Sequence, residues 1–155
     1  MLQFFGILLF STTVFAQDSE KTTIVFVCEH GGARSTIASV YFNKMARENH
    51  LSYRSIFRAL TPDSAISKET RNGLIEDGFE IASFVPTALT PKDVGAKTML
   101  ISLDCTVPPS YHTNKSWNGI PAISNDYRAA RNSIVKMLEG LITELKNKKA
   151  ISHQN

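Results

Sequence analysis

The chain has 155 residues, 43% of them hydrophobic and 20% charged. That composition excludes wholesale disorder, and the length suffices for one domain that buries a real core without needing metals or disulfides. A formal charge of +3 is mild; it favours an anionic ligand and gives no ground for expecting nucleic acid.

Residues 1–16, "MLQFFGILLFSTTVFA", carry no charged side chain and end in Val14-Phe15-Ala16, a small-x-small pattern suited to cleavage after Ala16. The segment is read as a signal peptide, so the mature chain is expected to be periplasmic or secreted and not membrane-spanning. A retained anchor or a first structural element are the alternatives. A spanning helix needs about 20 apolar residues, and this run is broken by Ser11, Thr12 and Thr13. The expected domain then covers 17–150, followed by a polar tail at 151–155.

Residues 22–27, "TTIVFV", are apolar and β-branched without alternation, which predicts a parallel strand buried on both faces. From Thr36 the apolar positions Ile37, Val40, Tyr41 and Met45 fall at helical spacing, predicting a helix to about Asn49. A second strand is expected over 53–60. Ser67 is placed as the cap of a helix that ends at Gly78. A short turn is expected after Pro91, a third strand over 97–103 and a short fourth strand around 115–117. The last helix is expected with Ser124 as its N-cap, Asp126 in its first turn and an apolar stripe of Ile134, Leu138, Leu141 and Leu145. Strands alternating with helices predict an α/β fold: a four-stranded, mostly parallel sheet flanked by helices, with ligands bound beyond the carboxyl ends of the strands.

The stretch "VCEHGGARST", residues 27–36, lies at such an end. A loop closing from a strand into a helix can turn its N–H groups inward and add the positive end of the helix dipole, forming a nest for an oxyanion. Gly31 and Gly32 allow the φ > 0 conformations a nest requires. Glu29, His30, Gly31, Gly32 and Ala33 would then surround the ligand. Arg34 would grip two of its oxygens. The same positive field should stabilise a thiolate on Cys28, helped by the Ser35 hydroxyl. A redox site, or a plain glycine turn with a chance cysteine, are the competing readings. The catalytic reading predicts in-line attack of Cys28 on phosphorus or arsenic.

The segment "VFVCEHGGARSTIASVYFNKMA" resembles the low-molecular-weight protein tyrosine phosphatases and the thioredoxin-coupled arsenate reductases that share their fold. The resemblance extends over roughly residues 22–145, with its specific part in the C-x5-R-S loop. It implies that Cys28 is the nucleophile, Arg34 the oxyanion ligand and Ser35 the thiolate-stabilising hydroxyl. The substrate it implies is a phosphorylated protein or small aryl phosphate, or else arsenate with a thiol reductant. No cofactor is implied.

Three departures follow. Where the family loop has a glycine and then an asparagine, this chain has His30 and Gly31, so the loop's support must come from elsewhere. Glu29 and His30 are expected either to tune substrate preference or to face solvent. The family's general acid sits in an Asp-Pro pair on a late loop, and "NGIPAISNDY" after Trp117 has none. Asp126 is taken as the acid, against a structural role at the helix start, with Asp104 as second candidate. Cys105 stands near the resolving cysteine of the reductases, and the third cysteine of that relay is missing. Trp117, Tyr111 and Tyr127 are read either as pocket walls or as cover for a core edge. The four histidines show no metal-ligand spacing, and no metal is expected.

Overall fold

The computed structural model describes residues 22–152; the expected signal segment and its cleavage site lie outside them. In chain order it contains β1 (Thr22–Cys28), α1 (Arg34–Glu48), β2 (Tyr53–Ala59), α2 (Lys68–Glu76), β3 (Thr98–Leu103), β4 (Lys115–Trp117) and α3 (Tyr127–Ser152), with a single 3-10 turn at Pro91–Asp93. The sheet order is β2-β1-β3-β4 and every pair is parallel. β1 is central, with Val25 in register with Ile56 on one side and Leu100 on the other.

The unalternating apolar run of β1 serves two cores. Ile24, Phe26 and Cys28 face a cluster completed by Ile37 and Phe42 of α1, Leu74 of α2, and Ile134, Leu138 and Leu145 of α3. Phe26 is fully buried between the rings of Phe42 (5.8 Å) and Trp117 (5.7 Å); cutting such a ring back to alanine costs about 3–5 kcal/mol. Val25 and Val27 point the other way, into a smaller cluster with Leu100. Connecting segments cover that face through Leu60, Leu89, Val94, Val107 and Tyr111.

Local chemistry sets the helix limits. The Ser67 hydroxyl accepts the Thr70 N–H, and Gly78, with φ +85°, ends α2. The start of α3 differs from expectation. Asn125 and Asp126 both donate their N–H groups to the Ala122 carbonyl, making residues 122–126 a turn, so Ser124 caps nothing. Asp126 takes that place: its Oδ1 accepts the Ala129 N–H at 3.0 Å, three residues into the helix. Among the described residues no helix is long and apolar enough to cross a membrane.

Candidate active site

Cys28 is the last residue of β1 and Arg34 the first of α1, so the five residues between them form the strand-to-helix loop at the carboxyl edge of the sheet. Gly31 adopts φ +70°. A Cβ at Gly31 would stand 2.8 Å from the Ala59 Cβ, and one at Gly32 would stand 3.0 Å from the Ala65 carbonyl oxygen. Glycine is therefore required at Gly31 by both conformation and close approach, and a side chain at Gly32 would crowd the Ala65 carbonyl.

The loop's carbonyls all point away from its hollow. Those of Cys28, Glu29, His30 and Gly32 accept the N–H groups of Leu60 (3.1 Å), Thr61 (2.8 Å), Asp63 (3.1 Å) and Ser67 (2.9 Å). The Gly31 carbonyl accepts the Thr36 hydroxyl at 2.6 Å, and that of Ala33 accepts the Ile37 N–H. The β2–α2 connection and Thr36 thus supply the loop's support. With its acceptors satisfied outward, the loop has only donors to offer inward. Among the described residues, no N–H of residues 29–36 donates to a protein acceptor. Free N–H groups at the positive end of a helix dipole form an oxyanion nest.

Cys28 lies at the base of this arrangement, only 4% exposed. Its Sγ is 3.2 Å from Ser35 Oγ, which in turn is 3.2 Å from the Arg58 carbonyl oxygen. A hydroxyl has one proton and two acceptor sites. While Cys28 is a thiol, it donates to Ser35 and Ser35 donates to the carbonyl; when Cys28 is a thiolate, the Ser35 proton turns to sulfur. Arg34 is 30% exposed, with Nε 3.3 Å from Asp104 Oδ2. That approach is an ion pair without hydrogen-bond alignment, so Nε remains a buried donor with no acceptor.

Asp104 holds this arginine from the end of β3. Its backbone is left-handed at φ +47°, and its N–H donates to the Trp117 carbonyl at 2.8 Å. Its carboxylate accepts the N–H groups of Gly119 (2.7 Å, Oδ1) and Ile120 (3.0 Å, Oδ2). A carboxylate engaged by two N–H groups and a guanidinium acts as an acceptor and is ill placed to give a proton. A strained non-glycine residue fixed by three partners is a feature that accumulates at functional sites. The late-loop "NGIP" segment therefore meets the site through the backbone of Gly119 and Ile120, with no acid of its own.

Cys105 is half-buried beside β1, and its thiol donates to the Val27 carbonyl at 3.5 Å. Burial pushes its pKa up to about 11, and the neighbouring Cys28 and the carboxylates of Glu29 and Asp104 add to that rise. Both cysteines are free. Glu29 and His30 are exposed at the rim and Ala33 is partly buried beside the core.

The structure thus gathers Cys28, residues 29–33, Arg34, Ser35 and Cys105 at one strand edge, and places the Asp126 carboxylate on the N-terminus of α3. Trp117 packs on Phe26, Tyr127 donates to Asp77, and Tyr111 covers the second core face beside Cys105. The contribution missed in the sequence is that of residues 60–67 to the loop. Among the described residues there is no group of three or more His, Cys, Asp or Glu placed to hold a metal.

No protein-family model and no curated protein matches the chain. Solved structures do. An arsenate reductase from Archaeoglobus fulgidus is 21% identical with a TM-score of 0.62, covering 77% of this chain and 98% of its own. YfkJ from Bacillus subtilis is 13% identical with a TM-score of 0.72, covering 85% and 99%. A low-molecular-weight protein tyrosine phosphatase from T. tengcongensis is 15% identical with a TM-score of 0.64, covering 83% and 99%. With its parallel sheet and its cysteine loop at the end of β1, the chain has the fold common to low-molecular-weight protein tyrosine phosphatases and arsenate reductases.

Proposed function

We propose that this protein is a cysteine-dependent phosphomonoester hydrolase acting on protein phosphotyrosine or a small aryl phosphate. The observation that carries the reading is the nest itself: satisfied carbonyls outside, unpaired N–H groups inside, Cys28 at the base and Arg34 at the start of α1 with its Nε buried and unbonded. The N–H groups and Arg34 hold the three non-bridging oxygens, and charge stabilisation there supplies most of the catalysis. Cys28 Sγ attacks as thiolate, the S–P bond forms and the ester P–O bond breaks. Water then attacks phosphorus, phosphate leaves and the Cys28 thiolate returns, stabilised by Ser35. With Asp126 capping α3 and Asp104 engaged by Arg34, leaving oxygens that depart without a proton are favoured, which fits aryl esters.

A second reading, arsenate reduction, is favoured by one observation, the Cys105 thiol 3.5 Å from the carbonyl of the residue before Cys28. There Cys28 would displace a hydroxyl from arsenate, and Cys105 thiolate would attack Cys28 Sγ. The S–As pair of electrons would pass to arsenic, arsenite would leave, and an external dithiol would reduce the resulting disulfide. The raised pKa of Cys105 makes it a weak attacker at neutral pH.

The test follows p-nitrophenyl phosphate hydrolysis and arsenate-dependent thiol oxidation in one preparation, with Cys28→Ser and Cys105→Ser alongside. Hydrolysis that needs Cys28 but not Cys105 supports the phosphatase. Arsenate turnover that needs both cysteines, without hydrolysis, replaces it by the reductase. Phosphate binding without either turnover leaves an oxyanion-binding module. Export rests on residues 1–16 alone and would place this chemistry outside the cytoplasm. An amino terminus at Gln17 in the native protein is expected, and a retained Met1 contradicts it.

A further inference from the structure

The two side chains that follow the nucleophile are drawn to the same rim. Glu29 Oε1 accepts the Thr61 hydroxyl at 3.3 Å. His30 Nδ1 donates to the Thr61 carbonyl at 3.2 Å and lies 3.7 Å from Asp63 Oδ1, whose side chain is 58% exposed. These contacts seat two exposed carboxylates, Glu29 and Asp63, along one side of the mouth. The charge of Glu29 reaches across to Cys105 at the end of β3, where it disfavours the thiolate. Arg34 lies inside and is paired with Asp104.

The mouth therefore carries charges of opposite sign at different depths. A tetrahedral anion in the nest meets N–H groups and Arg34, whereas whatever flanks that anion meets Glu29 and Asp63. Free anions gain nothing from this rim. A phosphorylated side chain set among cations gains at both levels.

We propose that Glu29, with Asp63, is a specificity-determining residue that selects phosphorylated side chains flanked by lysine or arginine. The proposal rests on the hydrolase reading above and names the substrate class for the same site. Two unit charges about 7 Å apart in a water-like dielectric change an equilibrium roughly threefold. Two rim carboxylates facing two flanking cations then give roughly a tenfold preference at low ionic strength, screened away as the Debye length falls to about 3 Å at 1 M salt.

The experiment measures kcat/KM of the purified full chain on two phosphotyrosyl peptides, one flanked by arginines and one by glutamates, in low-salt buffer at pH 8. p-Nitrophenyl phosphate serves as an uncharged-flank reference. The acidic peptide is repelled as strongly as the basic one is attracted, so the expected ratio of basic to acidic peptide is about 100-fold, falling to about tenfold in Glu29→Gln and again in Asp63→Asn, and approaching one at high salt. A ratio near one in the unmodified protein, or an unchanged ratio in both variants, overturns the assignment of the rim. Hydrolysis of the reference with neither peptide turned over also overturns it while leaving the hydrolase intact. Failure on all three substrates overturns the hydrolase reading and the rim assignment with it.

Discussion

Two polar regions of this molecule use similar groups in opposite ways. Where α1, α2 and α3 meet, Asp77 accepts hydrogen bonds from the hydroxyls of Tyr41 (2.7 Å) and Tyr127 (2.6 Å) on one oxygen and from Arg131 (2.7 Å) on the other. Arg131 also stands 6.0 Å above the Tyr127 ring. Gly73 in α2 leaves room for that ring, since a Cβ there would overlap it. Burial alone would raise the Asp77 carboxyl, but the hydrogen bonds from Tyr127 and Tyr41 and the charge of Arg131 outweigh it and hold the carboxyl below its ordinary value. In the same cluster burial, reinforced by Asp77, pushes Tyr41 up to about 12. Each of these donors has an acceptor, and the result is a fastening between helices. At the Cys28 loop the acceptors are satisfied from outside and the donors are left over. A closed set of hydrogen bonds holds the fold, and an open one leaves donors available to a ligand.

Substitutions should separate the two. Cys28→Ser is expected to reduce hydrolysis at least about 10³-fold while leaving the denaturant midpoint close to that of the unmodified chain. An equal loss of stability would make Cys28 a core residue first. Asp104→Asn keeps a side chain tolerant of positive φ but removes the charge facing Arg34. A fall in kcat of roughly 10-fold to 100-fold is expected, and steady-state kinetics on p-nitrophenyl phosphate would reveal it; unchanged kinetics would detach Asp104 from the site. Asp77→Ala reverses the pattern, lowering unfolding free energy by about 2–4 kcal/mol with kcat little changed. Urea denaturation measures the first and steady-state rates the second.

The smallest effects concern pH. The folded-state pKa of Asp77 is below its ordinary value of 3.8, so its stabilisation is present above pH 3.8 and is lost as pH falls through the folded value. Acid titration of stability should lose this component in Asp77→Asn. Cys105 is shifted the other way, from 9.0 to about 11. The stabilisation of its thiol form is complete below pH 9.0 and is lost as pH rises through about 11. Iodoacetamide should therefore alkylate Cys105 more slowly at pH 8 in the folded protein than in urea, and equal rates would show the thiol to be unshielded.

Much of this was legible in the sequence because the signals were local. The unbroken apolar run of β1, the Ser67 cap and the Gly78 stop each act within a few residues, and the structure has them in place. The short β4 at Lys115–Trp117 and the turn at Pro91–Asp93 were readable in the same way. The start of α3 was misplaced because Ser124 and Asp126 both have capping chemistry. A turn onto the Ala122 carbonyl, which periodicity does not report, decides between them. In the site, the Cys28–Arg34 spacing and the glycines were visible. The outward pinning of the loop by residues 60–67 was not, since it joins segments about thirty residues apart through backbone groups common to every side chain. Asp104 looked like a spare acid. Only its positive φ and its three partners identify it as the residue that holds Arg34.

On the proposed mechanism the open donors of the loop hold a phosphoryl group while Cys28 takes it up. The most direct measurement mixes the protein with excess p-nitrophenyl phosphate, quenches in acid within the first turnover and locates phosphate by peptide mass spectrometry. A burst of p-nitrophenol with phosphate on the peptide containing Cys28 is expected. A burst with phosphate on any other residue, or steady turnover with Cys28 never modified and Cys28→Ser still active, would contradict it.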